Sequence, residues 1–408
     1  MEKRNYGHKN INRSSKYICL LLTLLIVSLS WGCGYRKGPV NHDTSTPEAG
    51  PAGNPEQHEE TIEKNNDTDS NNTNNDDLAE IEEDLNPYNF VLTFAGDINF
   101  DENWSTMKYY NTVEEGIYDC ISPELIQIMQ EADIMCINNE FTYSTGGSPL
   151  ENKAYTFRAH PSRVDILKEL GVDIVSLANN HAYDYGEQSL IDTMATLKQA
   201  GIHYAGAGHN LEEAMAPVYF EIQGRTIAYV AASRAEKYKM TPQATEDEPG
   251  ILRCYDTELF IQTIKKAKEN SDYVIAYVHW GTEYSHELEE VQLTTGKEYL
   301  DAGADIVIGA HPHCLQGIEY YDGKPIIYSL GNFWFNNKTI DTMLLNIRFY
   351  GDDTEEFVEL EIVPAIQANT KTVIIDEKLE RERIFSFLES ISINVEIDEE
   401  GIVSELNG

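Results

Sequence analysis

The body of this 408-residue chain is predicted to adopt an α/β fold, and two patterns carry that expectation. From residue 88 onward, short apolar runs recur at 90–95, 133–137, 173–178, 225–232, 273–278, 305–308 and 325–330. Segments of helical spacing lie between them, at 123–131, 162–170, 187–200, 258–270 and 292–302. Short apolar strands alternating with helices indicate an α/β domain. Pro123 and Pro161 suit first-turn positions, and Gly171, Gly201 and Gly303 suit helix ends.

Taken in order, residues 1–16 carry Lys3, Arg4, Lys9, Arg13 and Lys16 against one acid, Glu2. Residues 17–31, YICLLLTLLIVSLSW, are almost wholly apolar. A basic segment before such a run has the layout of a secretory signal and is short for an ordinary membrane span. The run ends LSWGCG, which resembles a bacterial lipoprotein signal with Cys33 as the lipidated residue; the alternative is an uncleaved membrane anchor. Either one puts the body outside the cytoplasm, anchored to the bacterial cell membrane. Residues 34–87 hold Pro, Gly, Ser, Asn and acids with no apolar period, and are expected to form a disordered acidic linker. Residues 88–366 are the expected folded domain. Within it, 218–233 reads as a hairpin around Gln223 and Gly224, and 344–349 with 357–363 as an antiparallel pair. Residues 367–408 form a C-terminal extension with one helix, 379–390, and no readable role.

Lys and Arg number 30 against 69 Asp and Glu, a formal charge of −39. That excludes nucleic acid as a partner, because such binding needs a basic surface to displace counterions. It also argues against electrostatic adhesion to anionic lipid. None of the six cysteines forms a CxxC pair, so a zinc–thiolate site is not expected. Cys120, Cys136, Cys254 and Cys314 sit in apolar surroundings as small hydrophobes.

Nearly every predicted strand ends in a residue of metal-ligand type. The ends read Gly96-Asp97-Ile98-Asn99, Asn138-Asn139-Glu140, Asn179-Asn180-His181, His279-Trp280-Gly281, His311-Pro312-His313 and Gly331-Asn332. Ligands of α/β sheets bind at that end of the strands. Carboxylates, imidazoles and amides without thiolates suit one or two divalent ions such as Mn, Zn or Fe. His311 and His313 flank Pro312, so a loop must turn them, and each is free to serve a different ion.

The stretches FAGDINF, INNEFT, YTFRAHP, VSLANNHAYDYG, AGIHYAGAG, YVHWGTEY, IGAHPHCLQGIE and YSLGNFWF cover about residues 90–335. Together they resemble the bacterial capsule-synthesis CapA family, the poly-γ-glutamate-associated branch of the calcineurin-like metallophosphoesterases. The resemblance implies a metallophosphoesterase-like layered sandwich of mixed β-sheets flanked by helices. It implies a metal set of Asp97, Asn99, Glu140, Asn180, His279, His311 and His313. Asn99 stands where the wider pattern has His, and Glu140 where it has a bridging Asp. On this reading Glu140 bridges two ions, Asn180, His279 and His311 complete one site, and Asp97 with His313 the other. His181 is then the catalytic residue beside the metals. Arg158 is a candidate clamp for a substrate anion, or else a salt-bridging surface Arg. Asp184 and Glu283 are candidates to orient ligand imidazoles. Tyr185, Trp280, Tyr284, Phe333 and Trp334 either wall a pocket or pack the core.

The resemblance implies capsule or poly-γ-glutamate synthesis or export, with other subunits of that machinery as partners. Three functions follow as expectations: a metal-dependent hydrolase of phosphoesters or amides, a non-catalytic component that binds an anionic polymer, or a degenerate fold used for adhesion or signalling.

Overall fold

The computed structural model describes residues 86–235 and 240–406. The expected signal or anchor segment, Cys33 and the linker up to residue 85 lie outside the described residues. Among the described residues, no helix is long and apolar enough to cross a membrane.

Two mixed sheets stack face to face, with helices on both outer sides. The first sheet runs Val395–Ile397, Ile402–Glu405, Glu356–Ala368, Ile340–Gly351, Tyr88–Ile98, Ile134–Asn139, Ile174–Ser176, His203–Ala205. Its last four strands are parallel and the others antiparallel. The second runs Leu315–Tyr321, Lys324–Leu330, Ile306–Ala310, Tyr273–His279, Arg225–Ser233, Val218–Ile222, with a parallel centre and antiparallel edges.

Strand alternation sorts the apolar residues into three layers. Phe90, Leu92 and Phe94 of the first sheet meet Tyr229, Ile275, Tyr277 and Ile308 of the second. Behind the first sheet, Leu125, Ile126 and Met129 of helix Pro123–Glu131 pack with Leu190, Met194 and Leu197 of helix Glu187–Ala200. Behind the second, Phe260 and Ile264 of helix Glu258–Lys268 and Tyr299 of helix Glu290–Asp301 cover Val274, Val278 and Val307. Both central strand sets are buried on two faces, which is why they read as continuous apolar runs. The four free cysteines in this body are buried, as their apolar surroundings predict.

The expected α/β layered sandwich is therefore present, and the helices expected at 123–131 and 187–200 have those bounds. The predicted hairpin closes on Gln223 and Gly224, both at positive φ (49° and 80°), the backbone a two-residue hairpin turn requires. The expected helix over 162–170 splits into a 3₁₀ turn, Pro161–Arg163, and a short α-helix, Val164–Glu169. The boundary drawn at 366 falls inside strand Glu356–Ala368. The segment beyond it is built into the first sheet: Lys371–Ile374 and Ile402–Glu405 both pair with that strand. Ile384, Phe385 and Leu388 of helix Lys378–Ile391 join the core between the sheets.

Candidate metal centre

The parallel strands of both sheets deliver their C-terminal ends to one buried cluster. Asp97 lies near the end of Tyr88–Ile98, Asn138 near the end of Ile134–Asn139, and Glu140 directly after it. Asn180 and His181 follow Ile174–Ser176, His279 ends Tyr273–His279, and His311 and His313 follow Ile306–Ala310. The approach is close: a Cβ on Gly96 would lie 1.9 Å from the Gly331 carbonyl oxygen, which accepts the Asp97 N–H at 2.9 Å. Only glycine admits that contact next to Asp97. His311 and His313 both hold positive φ, 98° and 56°, a strain that clusters at functional sites.

Glu140 is the centre of the cluster. Its Oε1 lies 3.8 Å from His181 Nε2, 3.8 Å from His279 Nε2 and 3.7 Å from His313 Nε2. Asp97, Glu140 and His279 bring ligand atoms within 4.8 Å of one another, as do Glu140, His311 and His313, so Glu140 is common to both groups. Asn180 Oδ1 is 2.8 Å from His279 Nε2, and His313 Nδ1 is 3.1 Å from Asp97 Oδ2. All of these side chains are buried.

The electrostatics follow from that burial. Desolvation first, and the neighbouring Asp97 carboxylate second, hold the Glu140 carboxyl well above the usual carboxylate range. Burial first, then the surrounding imidazoles and the Lys153 ammonium, hold His279 and His311 well below the usual histidine range. Neutral imidazoles keep a lone pair for a metal. Glu140 Oε1 and His311 Nδ1 are buried without a hydrogen-bond partner. Orphaned buried acceptors of this kind are costly unless a cation meets them. The residues present thus fit a divalent ion, with Glu140, His311 and His313 as one candidate set and Asp97, Glu140 and His279, joined by Asn180, as another.

The remaining sequence candidates divide. His181 sits at the rim of the cluster with Nδ1 2.6 Å from Asp184 Oδ2, and the Phe157 ring flanks it at 4.4 Å. Asn179 shapes the turn, accepting the His181 N–H and donating to Asn138 Oδ1 and the Asn139 carbonyl. Asn99 Oδ1 accepts the Asp101 N–H at 2.8 Å, so its amide oxygen is engaged in a turn. Arg158 donates to the Gly146 carbonyl and stacks on Tyr185 at 4.0 Å. Glu283 is exposed. Imidazole orientation falls instead to Asn332, whose Oδ1 lies 2.8 Å from His313 Nδ1, and to Asn138, whose Nδ2 lies 3.3 Å from His279 Nδ1. Trp280, Phe333 and Trp334 are fully buried core, whereas Tyr284 lies 5.7 Å from the His313 ring with Lys338 over its face.

Sequence reasoning gave no role to three residues at the site: Asn332, Asn138 and Lys153. Asn138 donates to Asp97 Oδ1 at 2.7 Å and to Glu140 Oε2 at 3.2 Å, tying both carboxylates together. Its signal was present, since it stands at a predicted strand end two residues before Glu140. Lys153 enters from an irregular loop, where no periodicity marks a buried residue.

The sequence matches the profile of a family described as bacterial capsule synthesis protein PGA_cap over residues 91–337. It is 31% identical over 283 residues to the PGA biosynthesis protein CapA of Bacillus subtilis, covering 67% of this chain and 70% of that one. It is 32% identical over 234 residues to the capsule biosynthesis protein CapA of Bacillus anthracis, covering 56% of each. The chain thus spans little more than half the length of the second relative. Among solved structures, a phosphatase from Mycoplasma pneumoniae superposes with a TM-score of 0.43 at 14% identity, over 69% of this chain and 95% of that one. The Haemophilus influenzae NAD nucleotidase superposes with a TM-score of 0.38 at 10% identity, over 77% of this chain and 65% of that one. By the extent of the profile match and the identity to the Bacillus subtilis protein, the chain belongs to the bacterial capsule synthesis protein family.

Proposed function

We propose that the chain is a divalent-metal-dependent hydrolase, acting on a phosphoester or amide bond in the making or export of a capsule polymer. The observation that carries this is the convergence of three imidazole Nε2 atoms on Glu140 Oε1 at 3.7–3.8 Å, at the shared strand ends of two sheets. A divalent ion there supplies Lewis acidity and makes water a nucleophile at neutral pH.

The chain's own residues do the rest. Glu140 and Asp97 supply the negative charge that selects a cation, and Asn138 keeps the two carboxylates in register. His181, aimed by Asp184, acts as proton donor at Nε2. Water adds to the phosphorus or carbonyl carbon, the bond to the leaving oxygen or nitrogen breaks, and that atom takes the Nε2 proton. The proton given up by the water returns through solvent to the imidazole.

The capsule context comes from family membership and from the names of the two Bacillus relatives. Within it, the substrate is an anionic polymer such as poly-γ-glutamate or a phosphoester linked to one, and the partners are other subunits of that machinery. The apolar run at 17–31 supports tethering of the body outside the cytoplasm, through lipidated Cys33 or an uncleaved anchor.

The test is elemental analysis of the full chain purified in detergent, together with assays on bis(p-nitrophenyl) phosphate and γ-glutamyl oligomers. Bound Mn, Zn or Fe is expected, with hydrolysis that disappears in His311→Ala. Bound metal without turnover on either substrate class would favour the polymer-binding role, and no metal at any loading would sink both readings.

A further inference from the structure

The wide loop between the short strands Thr142–Tyr143 and Arg158–Ala159 does more than connect them. Its backbone donates to Asp184 twice: Leu150 N–H to the Asp184 carbonyl at 2.9 Å, and Phe157 N–H to Asp184 Oδ2 at 2.6 Å. Its Lys153 turns inward, with a side chain only 3% exposed, and sets Nζ 2.8 Å from Asp184 Oδ1. The same ammonium donates to the Asn180 carbonyl, which also accepts the Thr241 hydroxyl. An ammonium is costly to bury, and a loop held by backbone bonds does not need one. Among the described residues, the carboxylate it meets is that of Asp184, the one that holds His181.

We infer that Lys153 is a positioning residue for proton transfer at His181, its ammonium fixing the Asp184 carboxylate that aims the imidazole. The inference rests on the hydrolytic reading above. A carboxylate can turn about its last bond and exchange its oxygens. The ammonium faces Oδ1 as an ion pair, while Oδ2 takes the hydrogen bonds of Phe157 N–H and His181 Nδ1. An acceptor-only carboxylate requires that His181 Nδ1 carry the hydrogen, so Nε2 is the atom turned toward Glu140. The Lys153 charge also offsets that of Asp184, one of the acidic groups that act on Glu140.

The test compares two esters in the metal-loaded full chain. A p-nitrophenyl phosphate ester releases a phenolate that leaves without a proton, whereas an alkyl phosphate ester releases an alkoxide that must take one. Lys153→Met is expected to lower kcat on the alkyl ester about tenfold or more, and on the aryl ester by less than about threefold, with KM and bound metal unchanged. Lys153→Gln, which keeps a donor for the Asn180 carbonyl, serves where the Met variant does not fold and is expected to behave alike. Equal losses on both esters, or losses that track metal content, would overturn the inference.

A second readout needs no turnover. The His181 Nδ1 proton, identified by its disappearance in His181→Ala, is expected far downfield in the NMR spectrum of the unsubstituted chain, as its 2.6 Å charge-assisted bond requires. In either Lys153 variant it should move upfield or broaden away. An unchanged resonance overturns the role of Lys153. An unsubstituted chain that hydrolyses neither ester overturns the proposed activity, while the resonance still decides for or against Lys153.

Discussion

The two ends of the parallel strands use acidic residues in opposite ways. At the N-terminal ends stand Asp133, Asp173, Asp272 and Asp305, each one residue before a strand or its first turn into the sheet. Their carboxylates accept the backbone N–H of Val91, Met135, Thr226 and Val274 at 2.7–2.9 Å. Each also donates its own N–H to the carbonyl of that same residue, so the pairing with the neighbouring strand is closed at its edge. At the C-terminal ends, Glu140 is fully buried and one of its oxygens meets no donor from the chain. The first set completes the backbone bonding of the fold. The second set is held by Asn138 and by packing, at a cost in stability that folding alone does not explain.

Glu140→Gln breaks this contrast with the largest expected effect. The amide loses the charge shared by both candidate ligand groups, so bound metal and hydrolysis should both disappear. The metal-free protein should become more stable above the ordinary carboxyl pKa of 4.5, because a buried group that keeps a proton the unfolded chain releases has been removed. Elemental analysis and thermal melts with and without a chelator check both halves. A metal-free Gln variant that melts below the unsubstituted protein would make the two strand ends alike.

How much of this was legible in the sequence depends on whether a residue's job follows from its own strand. Asp97, Glu140, His279, His311 and His313 are readable because each is a polar residue at the abrupt end of an apolar run. Asp133, Asp173 and Asp305 are visible as strand starts, but their bonds go to a neighbouring strand, and strand order is not written in any one run. The division into two sheets is hidden for the same reason, since parallel strands buried on both faces read alike in either sheet. Strand Leu315–Tyr321 escapes notice because its buried positions include Gln316 and Glu319, one on each face, polar residues satisfied by Gln292, Tyr328 and Lys297 from elsewhere in the chain. Lys153 is the extreme case: an irregular loop carries it, and only the folded chain brings it to Asp184.

The pH dependence of the metal-free protein sharpens the contrast with a smaller effect. His279 and His311 are held well below their ordinary 6.5, so below that pH the unfolded chain binds protons that the fold refuses, and stability falls with acid. Glu140 is held well above its ordinary 4.5, so above that pH the fold keeps a proton that the unfolded chain has released. Its contribution falls as pH rises toward the raised value. Between 4.5 and 6.5 two imidazoles oppose one carboxyl, and the net slope is upward. Above 6.5 only Glu140 remains, and the slope reverses, by about 1.4 kcal/mol per pH unit at most. Melting temperature in chelator should therefore peak near pH 6.5 if these three groups dominate, and metal should remove the alkaline decline by favouring ionised Glu140. A decline unchanged by metal would separate Glu140 from the bound ion.

Asp305→Ala tests the other end of the strands and has the smallest expected reach. Asp305 Oδ2 accepts the Val274 N–H at 2.9 Å, and the carboxylate also pairs with Lys268 and Lys324, both at 2.9 Å. The two ammonium groups are more than a third exposed, so their ion pairs contribute little in water. The cost then comes mainly from the lost acceptor at Val274, about 1 kcal/mol. Thermal melts should register that loss, while metal content and turnover stay at the level of the unsubstituted chain. If Asp305→Ala also drained metal, the cluster would be coupled to the far end of its own strands, and the separation of folding acids from binding acids would fail. The geometry argues for separation, because strand Ile306–Ala310 runs buried through its full length between Asp305 and His311 and is paired on both sides.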